Sequence, residues 1–430
     1  MANTWQRQNE VSLMHSTPER FETLDSWRGI CAMMVVIYHF CFLVNAEQFR
    51  NDFTSNAYLF VDFFFVLSGF VVSHAYTRRL QTPRQVGGFV LKRFGRLWPL
   101  HGAILFALMI GVMFINVAGS HPDSFEVHAN KGNFSLYALI LHALMLNSID
   151  LYGNAWNSPA WSIGSEFYTY ILFAVVVMVA GRRLLSASLI IAAIAVCVLF
   201  FAAPAFMNST ADFGMVRCIA GFFAGVAAQH VHAATRGKPL PFAALFECAA
   251  IAVVAVFVIV AGDGPDDVHP ASLMAPLVFA GAVLVFAREG GALSRMLKAR
   301  PLRALGRWSY SIYMVHMPVL LLTGYGLWLY GTASGTSLRQ EIIVEGHAKQ
   351  LYDLGDPIAT SLLLGVVLLI VLVVASVTYR HIEDPWRGRF GRLAKRYEAG
   401  EGSPHRKHPP RRSAGALVPV RVKSERDQRR

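Results

Sequence analysis

The sequence predicts an all-α, polytopic membrane protein with about ten transmembrane helices and one short re-entrant or interfacial segment. Of its 430 residues, 54% are hydrophobic and only 15% charged, and the mean hydropathy is +0.43, far too apolar for a soluble domain of this size. Apolar runs of roughly 20 residues, long enough to cross a hydrocarbon core as helices, recur along the chain. Lys and Arg gather in alternate connections, as they do in loops that face the cytoplasm.

The spans fall at 26–45, 58–76, 99–118, 161–180, 186–203, 214–232, 243–261, 271–287, 308–330 and 359–379. A further run at 134–149 is interrupted by His142 and is too short to cross, so it is read as re-entrant or interfacial. Counting it as a span would break the charge alternation. Segment 77–98 holds Arg78, Arg79, Arg84, Lys92, Arg93 and Arg96 with no acid, and 288–307 holds six basic residues against Glu289 alone. Arg182, Arg183, Arg236 and Lys238 occupy the other connections on that side, whereas Asp263, Asp266 and Asp267 mark an opposite loop. Both termini are therefore expected in the cytoplasm.

Three regions follow: a cytoplasmic segment 1–23, a membrane domain 24–390 and a basic tail 391–430, expected to be disordered and to rest on anionic lipid. The polar loop 331–358 is expected to face outward. The first twenty residues lack the apolar core of a cleavable signal peptide, so the first span is expected to act as its own insertion signal. The five cysteines, Cys31, Cys41, Cys197, Cys218 and Cys248, lie inside apolar runs without metal-ligand spacing, and neither a disulfide framework nor a metal site is indicated. The net charge of +12 sits in loops and tail rather than on a stripe, which speaks for membrane topology and against a nucleic-acid partner. No inverted repeat of the transporter kind is visible.

Residues 25–43 organise the rest, because an apolar run there carries Arg28 near one end and His39 deep inside. Ionisable groups in such a run are costly and need a reason. Eleven residues at roughly 100° each return to nearly the same helix face, about 16 Å further along the axis. Arg28 and His39 therefore line one wall without touching, and Asp25, one turn before Arg28, can pair with it. The plain alternative is an arginine that snorkels and a satisfied core histidine.

Four further stations carry polar groups into apolar surroundings. Ser68-Gly69 in the second span permits close helix packing, or a gap for a thin acyl or pantetheine chain. Arg93 and Arg96 are one turn apart beside Trp98, and guanidinium forks match phosphate oxygens, although loop topology alone would also place arginines there. In Trp161-Ser162-Ile-Gly-Ser-Glu166, the hydroxyl and the carboxylate share a face at the outer end of the fourth span, and Glu166 is too deep to be a helix cap. Ser309, Tyr313 and His316 share a face of the ninth span, where interhelical hydrogen bonding is the simpler reading. The closing His381-Ile-Glu383-Asp384-Pro385-Trp386 reads as a structural terminus.

In this order the stations resemble the acyltransferase-3 family of integral membrane acyltransferases over roughly residues 20–390. Arg28, ten residues and His39 resemble its Arg-x10-His signature. Phe65-Val-Leu-Ser68-Gly69-Phe70 is similar to its second-helix motif, Arg93-x-x-Arg96 to its double arginine, and Trp161-Ser162-Ile-x-x-Glu166 to its Trp-Ser-Leu-x-x-Glu. Ile163 replaces the commoner Leu, and Trp27 stands where Leu is frequent. The soluble esterase-like domain that some members carry is not expected after the short basic tail.

The resemblance implies a bacterial inner-membrane O-acyltransferase that takes an acyl group, acetyl being the expected one, from cytoplasmic acyl-CoA to a hydroxyl of a sugar, glycan or glycosylated small molecule. Acyl-CoA is then a donor substrate, and no permanently bound cofactor is expected. Arg93, Arg96, Ser68 and Gly69 would hold the donor, Arg28 would guide it, and His39 would act as general base or covalent acyl relay. Glu166, at the outer mouth, would orient His39 or bind acceptor hydroxyls. Asp25, Trp161, Ser162, Tyr313 and His316 would support these groups. The competing classes are a secondary transporter of a polyol or sugar-like solute, and a membrane sensor or scaffold without activity.

Overall fold

The computed structural model describes residues 21–119, 134–148, 156–238, 240–261, 269–344 and 347–400. Asp263, Asp266 and Asp267, the segment 1–20 and the tail 401–430 lie outside the described residues.

Each predicted span is a helix. In chain order these are α1 (Glu22–Cys41), α2 (Phe60–Tyr76), α3 (Pro83–Ala118), α4 (Leu136–Ala143), α5 (Ala160–Ala180), α6 (Leu184–Ala202), α7 (Gly214–Ala234), α8 (Ala243–Val260), α9 (Ala275–Phe286), α10 (Ala292–Leu297), α11 (Arg300–Ser334), α12 (Pro357–Thr378) and α13 (Asp384–Ala399). Among the described residues, seven helical stretches are long and apolar enough to cross a membrane. The difference from ten arises at three places. Helix α1 carries Glu22, Asp25 and Arg28; α9 with its preceding turn is only Pro270–Phe286; and α5 and α6 follow one another as a single stretch, Ala160–Ala202. That stretch is bent at Gly181, whose φ of +50° an L side chain would adopt only with strain. Helix α4, at eight residues, spans about 12 Å and is too short to cross.

Local sequence sets the helix ends. Thr82 and Gln85 form a capping box ahead of Pro83, so α3 begins well before the apolar run and carries Arg93 and Arg96 inside a 36-residue helix. Asp356 caps α12 by accepting from the Ile358 and Ala359 amides. Pro318, inside α11, cannot donate to the Met314 carbonyl, and the Asn157 side chain donates to it instead at 3.1 Å. This bond ties the entry of α5 to α11.

Two helix crossings set the interior. Helix α1 packs along α11, and α2 along α7. At the first, a Cβ on Gly306 would stand 2.3 Å from the Asp25 carbonyl oxygen and one on Gly29 2.6 Å from the Leu305 backbone. At the second, a Cβ on Gly69 or Gly225 would stand 1.9 Å from the carbonyl oxygen of Phe222 or Val66. Only glycine lets these backbones meet.

Three expectations need correction. The chain is not wholly helical: the loop 331–358 contains an antiparallel hairpin, β1 (Arg339–Val344) with β2 (His347–Tyr352). Tyr352 exchanges backbone hydrogen bonds with Leu43 and Asn45, so the hairpin is anchored to the end of α1, a long-range pairing that no local pattern announces. The basic stretch after 390 is not irregular as far as Ala399. It continues α13, which lies on the first half of α3, with Phe390 over Gly95 and Glu398 paired to Lys92 at 2.8 Å. Tyr379–Glu383, expected to be a plain terminus, is a π-helical turn that buries Glu383.

Candidate active site

Two cavities in the helix bundle meet at Val61 and Tyr313, which line both. The first, of about 350 Å³, is bounded by α1, α2, α3, α5, α11 and α13. Arg28, Arg93, Arg96, Arg307 and Arg387 reach its wall, against the carboxylates Asp25 and Glu166. The excess of cations is what a polyanionic ligand needs.

Within this cavity, among the described residues, four of the arginines, Arg307 among them, are not consumed by partners, and only Arg387 is paired, with Asp384. Among the described residues, Arg28, Arg93 and Arg96 make no hydrogen bond or ion pair, and the buried Nε of Arg93 is unpaired. Arg93 instead lies over the rings of Tyr76, Phe89 and Tyr170, at 5.0, 5.4 and 5.2 Å from their centroids, which holds its plane without using its donors. Arg28 and Arg96 feel each other and the carboxylates Asp25 and Glu166, with Glu383 the largest acidic influence on Arg96. One oxygen of Glu383 accepts from Ser311 at 2.8 Å and the other is buried without a partner among the described residues. Glu166 accepts from Tyr170 at 2.6 Å, and the Tyr170 hydroxyl also meets Ser68 at 2.8 Å.

The second cavity, of about 340 Å³, contains His39, Tyr38, Tyr58, Ser158, Trp161, Asn208, Thr210 and Arg217. The arginine on its wall is fully engaged. Arg217 binds both oxygens of Asp62, at 2.8 and 2.7 Å, donates to the Ser209 and Tyr58 carbonyls, and stacks on Tyr58 and Trp161. Unlike the first cavity, it has no spare positive charge among the described residues of its lining. His39 gives its Nδ1 hydrogen to the Val35 carbonyl at 2.9 Å, so its Nε2 is the basic nitrogen.

The boundary between the cavities is polar on one side. Tyr313 and Ser162 share a 2.8 Å hydrogen bond, and both lie within reach of the Pro159 carbonyl, at 3.1 and 3.0 Å. Val61 and Phe64 complete it, the Phe64 ring standing edge-on to Tyr313 at 5.9 Å.

The model for the acyltransferase domain family matches residues 21–380. The chain belongs to the acyltransferase-3 family. Among curated relatives, it is 33% identical over 201 residues to "Protein 2 in picA locus" of Rhizobium radiobacter, covering 45% of this chain and all of that protein. It is 23% identical over 394 residues to a "Putative peptidoglycan O-acetyltransferase YrhL" of Bacillus subtilis (strain 168), covering 85% of this chain but only 54% of that protein. No solved structure matches it.

In this acyltransferase the residues singled out by sequence divide between the cavities. Arg28, Arg93, Arg96, Asp25, Glu166, Ser68, Ser162 and Tyr313 line the first, and His39 and Trp161 line the second with Tyr313. Arg28 and His39, on one helix, thus serve different chambers. His316 lines neither; it is fully buried, 4.9 Å from His39 between ring centroids. Gly69 faces Phe222 at the α2–α7 crossing, where close backbone approach uses its missing side chain. Glu166 projects nearly two turns into α5 and lines the arginine cavity, held by Tyr170, whereas His39 lines the other cavity.

Asp62 and Arg217 belong to this region although the sequence reading passed over them, and so does Glu383, which it read as part of a structural terminus. The first two are charges inside apolar spans, and the rule that drew attention to Arg28 would have found them. Glu383 carries no such signal, since its burial comes from α13 folding back on α3.

Proposed function

We propose that this acyltransferase is an acyl-CoA-dependent O-acyltransferase, with acetyl-CoA the expected donor and a hydroxyl of a sugar, glycan or glycosylated small molecule the acceptor. The observation that carries this reading is the set of unpaired guanidinium groups, Arg28, Arg93 and Arg96, in a cavity that touches the His39 chamber at Tyr313. The phosphates of the donor would take the free donors of these arginines. The pantetheine arm would run along the Ser68 face of α2 and bring the thioester to Val61 and Tyr313.

The acceptor hydroxyl then enters the chamber with no spare charge, beside His39. Its proton passes to Nε2 of His39, the oxygen attacks the thioester carbonyl, the C–S bond breaks, and the thiolate takes the proton back. The Tyr313 hydroxyl, while Ser162 keeps the Pro159 carbonyl satisfied, would turn its one hydrogen to where negative charge gathers on the carbonyl oxygen. Asp62 and Arg217 keep Trp161 and Tyr58 in place around the acceptor. Ten crossings with both termini cytoplasmic would put the arginine cavity on the side where acyl-CoA is made. The relative named as a peptidoglycan O-acetyltransferase is in keeping with a carbohydrate acceptor.

The test is consumption of radiolabelled acetyl-CoA by purified protein in nanodiscs with a panel of saccharide acceptors. The expected result is release of free CoA matched by label on the acceptor, lost in His39→Ala protein of normal yield. Absence of donor consumption, with passage of a sugar or polyol through proteoliposomes, would replace this reading with that of a transporter.

A further inference from the structure

We infer that Arg50 and Lys349 form an anion subsite beside the His39 chamber that takes a carboxylate of the acceptor, so that the acceptor is an acidic glycan of the uronic-acid class. The inference rests on the reading of the His39 chamber as the place of the acceptor.

A third cavity, of about 40 Å³, is enclosed by the end of α1, the segment 45–56 and the hairpin. Tyr38 and Phe42, whose rings meet edge-on at 4.8 Å between centroids, line it and also line the His39 chamber. The two spaces therefore share these aromatic walls. Along α1, Phe42 lies about 21 Å beyond Arg28, with His39 between them. The small cavity is thus at the far end of the helix from the arginines proposed to hold the donor.

Arg50 and Lys349 supply its charge, and no carboxylate lines it. Among the described residues neither cation makes an ion pair. The acids of the hairpin and its exit are turned elsewhere: Glu341 accepts from Gln350, and Asp353 from Asn45 and the Gly355 amide. Nη1 of Arg50 donates to the Asn45 side chain at 3.5 Å, a long bond, while Nη2 is buried and has no hydrogen-bond partner among the described residues. A guanidinium N–H withdrawn from water without an acceptor is costly, and a ligand oxygen removes that cost. Asn45 also donates its amide to the Tyr352 carbonyl at 2.8 Å, so one residue sets both Arg50 and the hairpin that carries Lys349. The Lys349 ammonium stands 5.0 Å from the centre of the Phe42 ring, on the same shared wall.

Size selects the anion. A space of about 40 Å³ holds about three water-sized groups, the extent of a carboxylate and less than a sugar ring or a pyrophosphate. A fork of N–H donors with an ammonium nearby suits an anion of this shape. A sugar carboxylate seated there leaves the adjoining ring against Phe42 and Tyr38, from which its hydroxyls reach the chamber of His39. The negative charge stays outside that chamber, where no spare cation would hold it.

The experiment measures equilibrium binding by isothermal titration to protein purified in phosphatidylcholine nanodiscs. The probes are a glucuronosyl disaccharide, its methyl ester, which removes the charge and keeps the ring, and the matching disaccharide 6-phosphate. The acid should bind wild type about tenfold or more tighter than the ester, the difference expected of a hydrogen bond to a charged group. Arg50→Gln should bind acid and ester alike, Arg50→Lys should keep part of the preference, and Lys349→Gln, losing a half-exposed charge, should reduce it about two- to fivefold. Should Arg50→Gln not accumulate, Lys349→Gln decides together with added salt, which should weaken binding of the acid and not of the ester. Equal binding of acid and ester, no binding of the acid, tighter binding of the phosphate, or a preference that survives Arg50→Gln overturns the inference. Radiolabelled acetyl-CoA separates it from the reading beneath it. Labelling of acid and ester with equal efficiency overturns the subsite and leaves the donor assignment standing, whereas Arg50-dependent binding of the acid with no labelling keeps the subsite and removes the His39 chamber as the place of transfer.

Discussion

At the scale of the residue, the first cavity is defined by cations left without partners. Arg28, Arg93 and Arg96 could each have been neutralised by a neighbouring carboxylate, as Arg217 is by Asp62, yet they keep their donors free. Losing one charge-assisted contact to a phosphate costs about 1.5–3 kcal/mol, so Arg96→Ala should raise the KM for acetyl-CoA by about ten- to a hundredfold. Turnover should change far less, a split that initial-rate kinetics resolves. Arg28 was readable in the sequence because a guanidinium in an apolar run demands a reason, and Arg93 and Arg96 because two guanidinium forks one turn apart match phosphate oxygens. The same rule applies to Asp62 and Arg217, charges inside apolar spans that the sequence reading passed over. Glu383 was not readable in that way, because nothing near His381-Ile-Glu383 announces a π turn that swings its carboxylate towards Ser311 and Arg96.

At the scale of the element, α2 and α7 are bolted together by two devices: the glycine crossing at Gly69 and Gly225, and the ion pair of Asp62 with Arg217. Both partners of the pair are essentially removed from solvent, at 0% and 1% exposure, so removing one leaves an uncompensated buried charge. Such a change costs about 3–5 kcal/mol, while replacing both partners by apolar residues of similar size is nearly neutral or better. Asp62→Leu should sharply lower the melting temperature in detergent, and the double variant Asp62→Leu, Arg217→Met should recover most of the loss. Helix positions were legible from apolar run length, and the long helices fall where the runs fall. What escaped was the hairpin on Tyr352 and the docking of α13, because both depend on contacts between segments far apart in sequence.

At the scale of the whole molecule, two chambers, one cationic and one with its charge neutralised, share the boundary residues Val61 and Tyr313. The first has cations to spare and the second has its arginine neutralised, as the proposed separation of a phosphorylated donor from an uncharged acceptor hydroxyl requires. Enlarging the boundary side chain by Val61→Phe should leave equilibrium binding of acetyl-CoA within about threefold of wild type and reduce acyl transfer by about a hundredfold, the magnitude that follows when a reacting carbonyl is kept out of line by about an ångström. Binding measured by isothermal titration and transfer measured with labelled donor separate the two effects. This division was not visible in the sequence, since residues from several helices form each wall and spacing within a helix cannot show which helices face one another.

The most direct test of the two-chamber mechanism is a cryo-EM structure of the protein bound to a thioether analogue of acetyl-CoA that cannot transfer its acyl group. Phosphate density is expected against Arg28, Arg93 and Arg96, with the acyl carbonyl beside Tyr313 on the side that opens to His39. Density for the phosphates in the His39 chamber, or an analogue bound only on the lipid-facing surface, would contradict it.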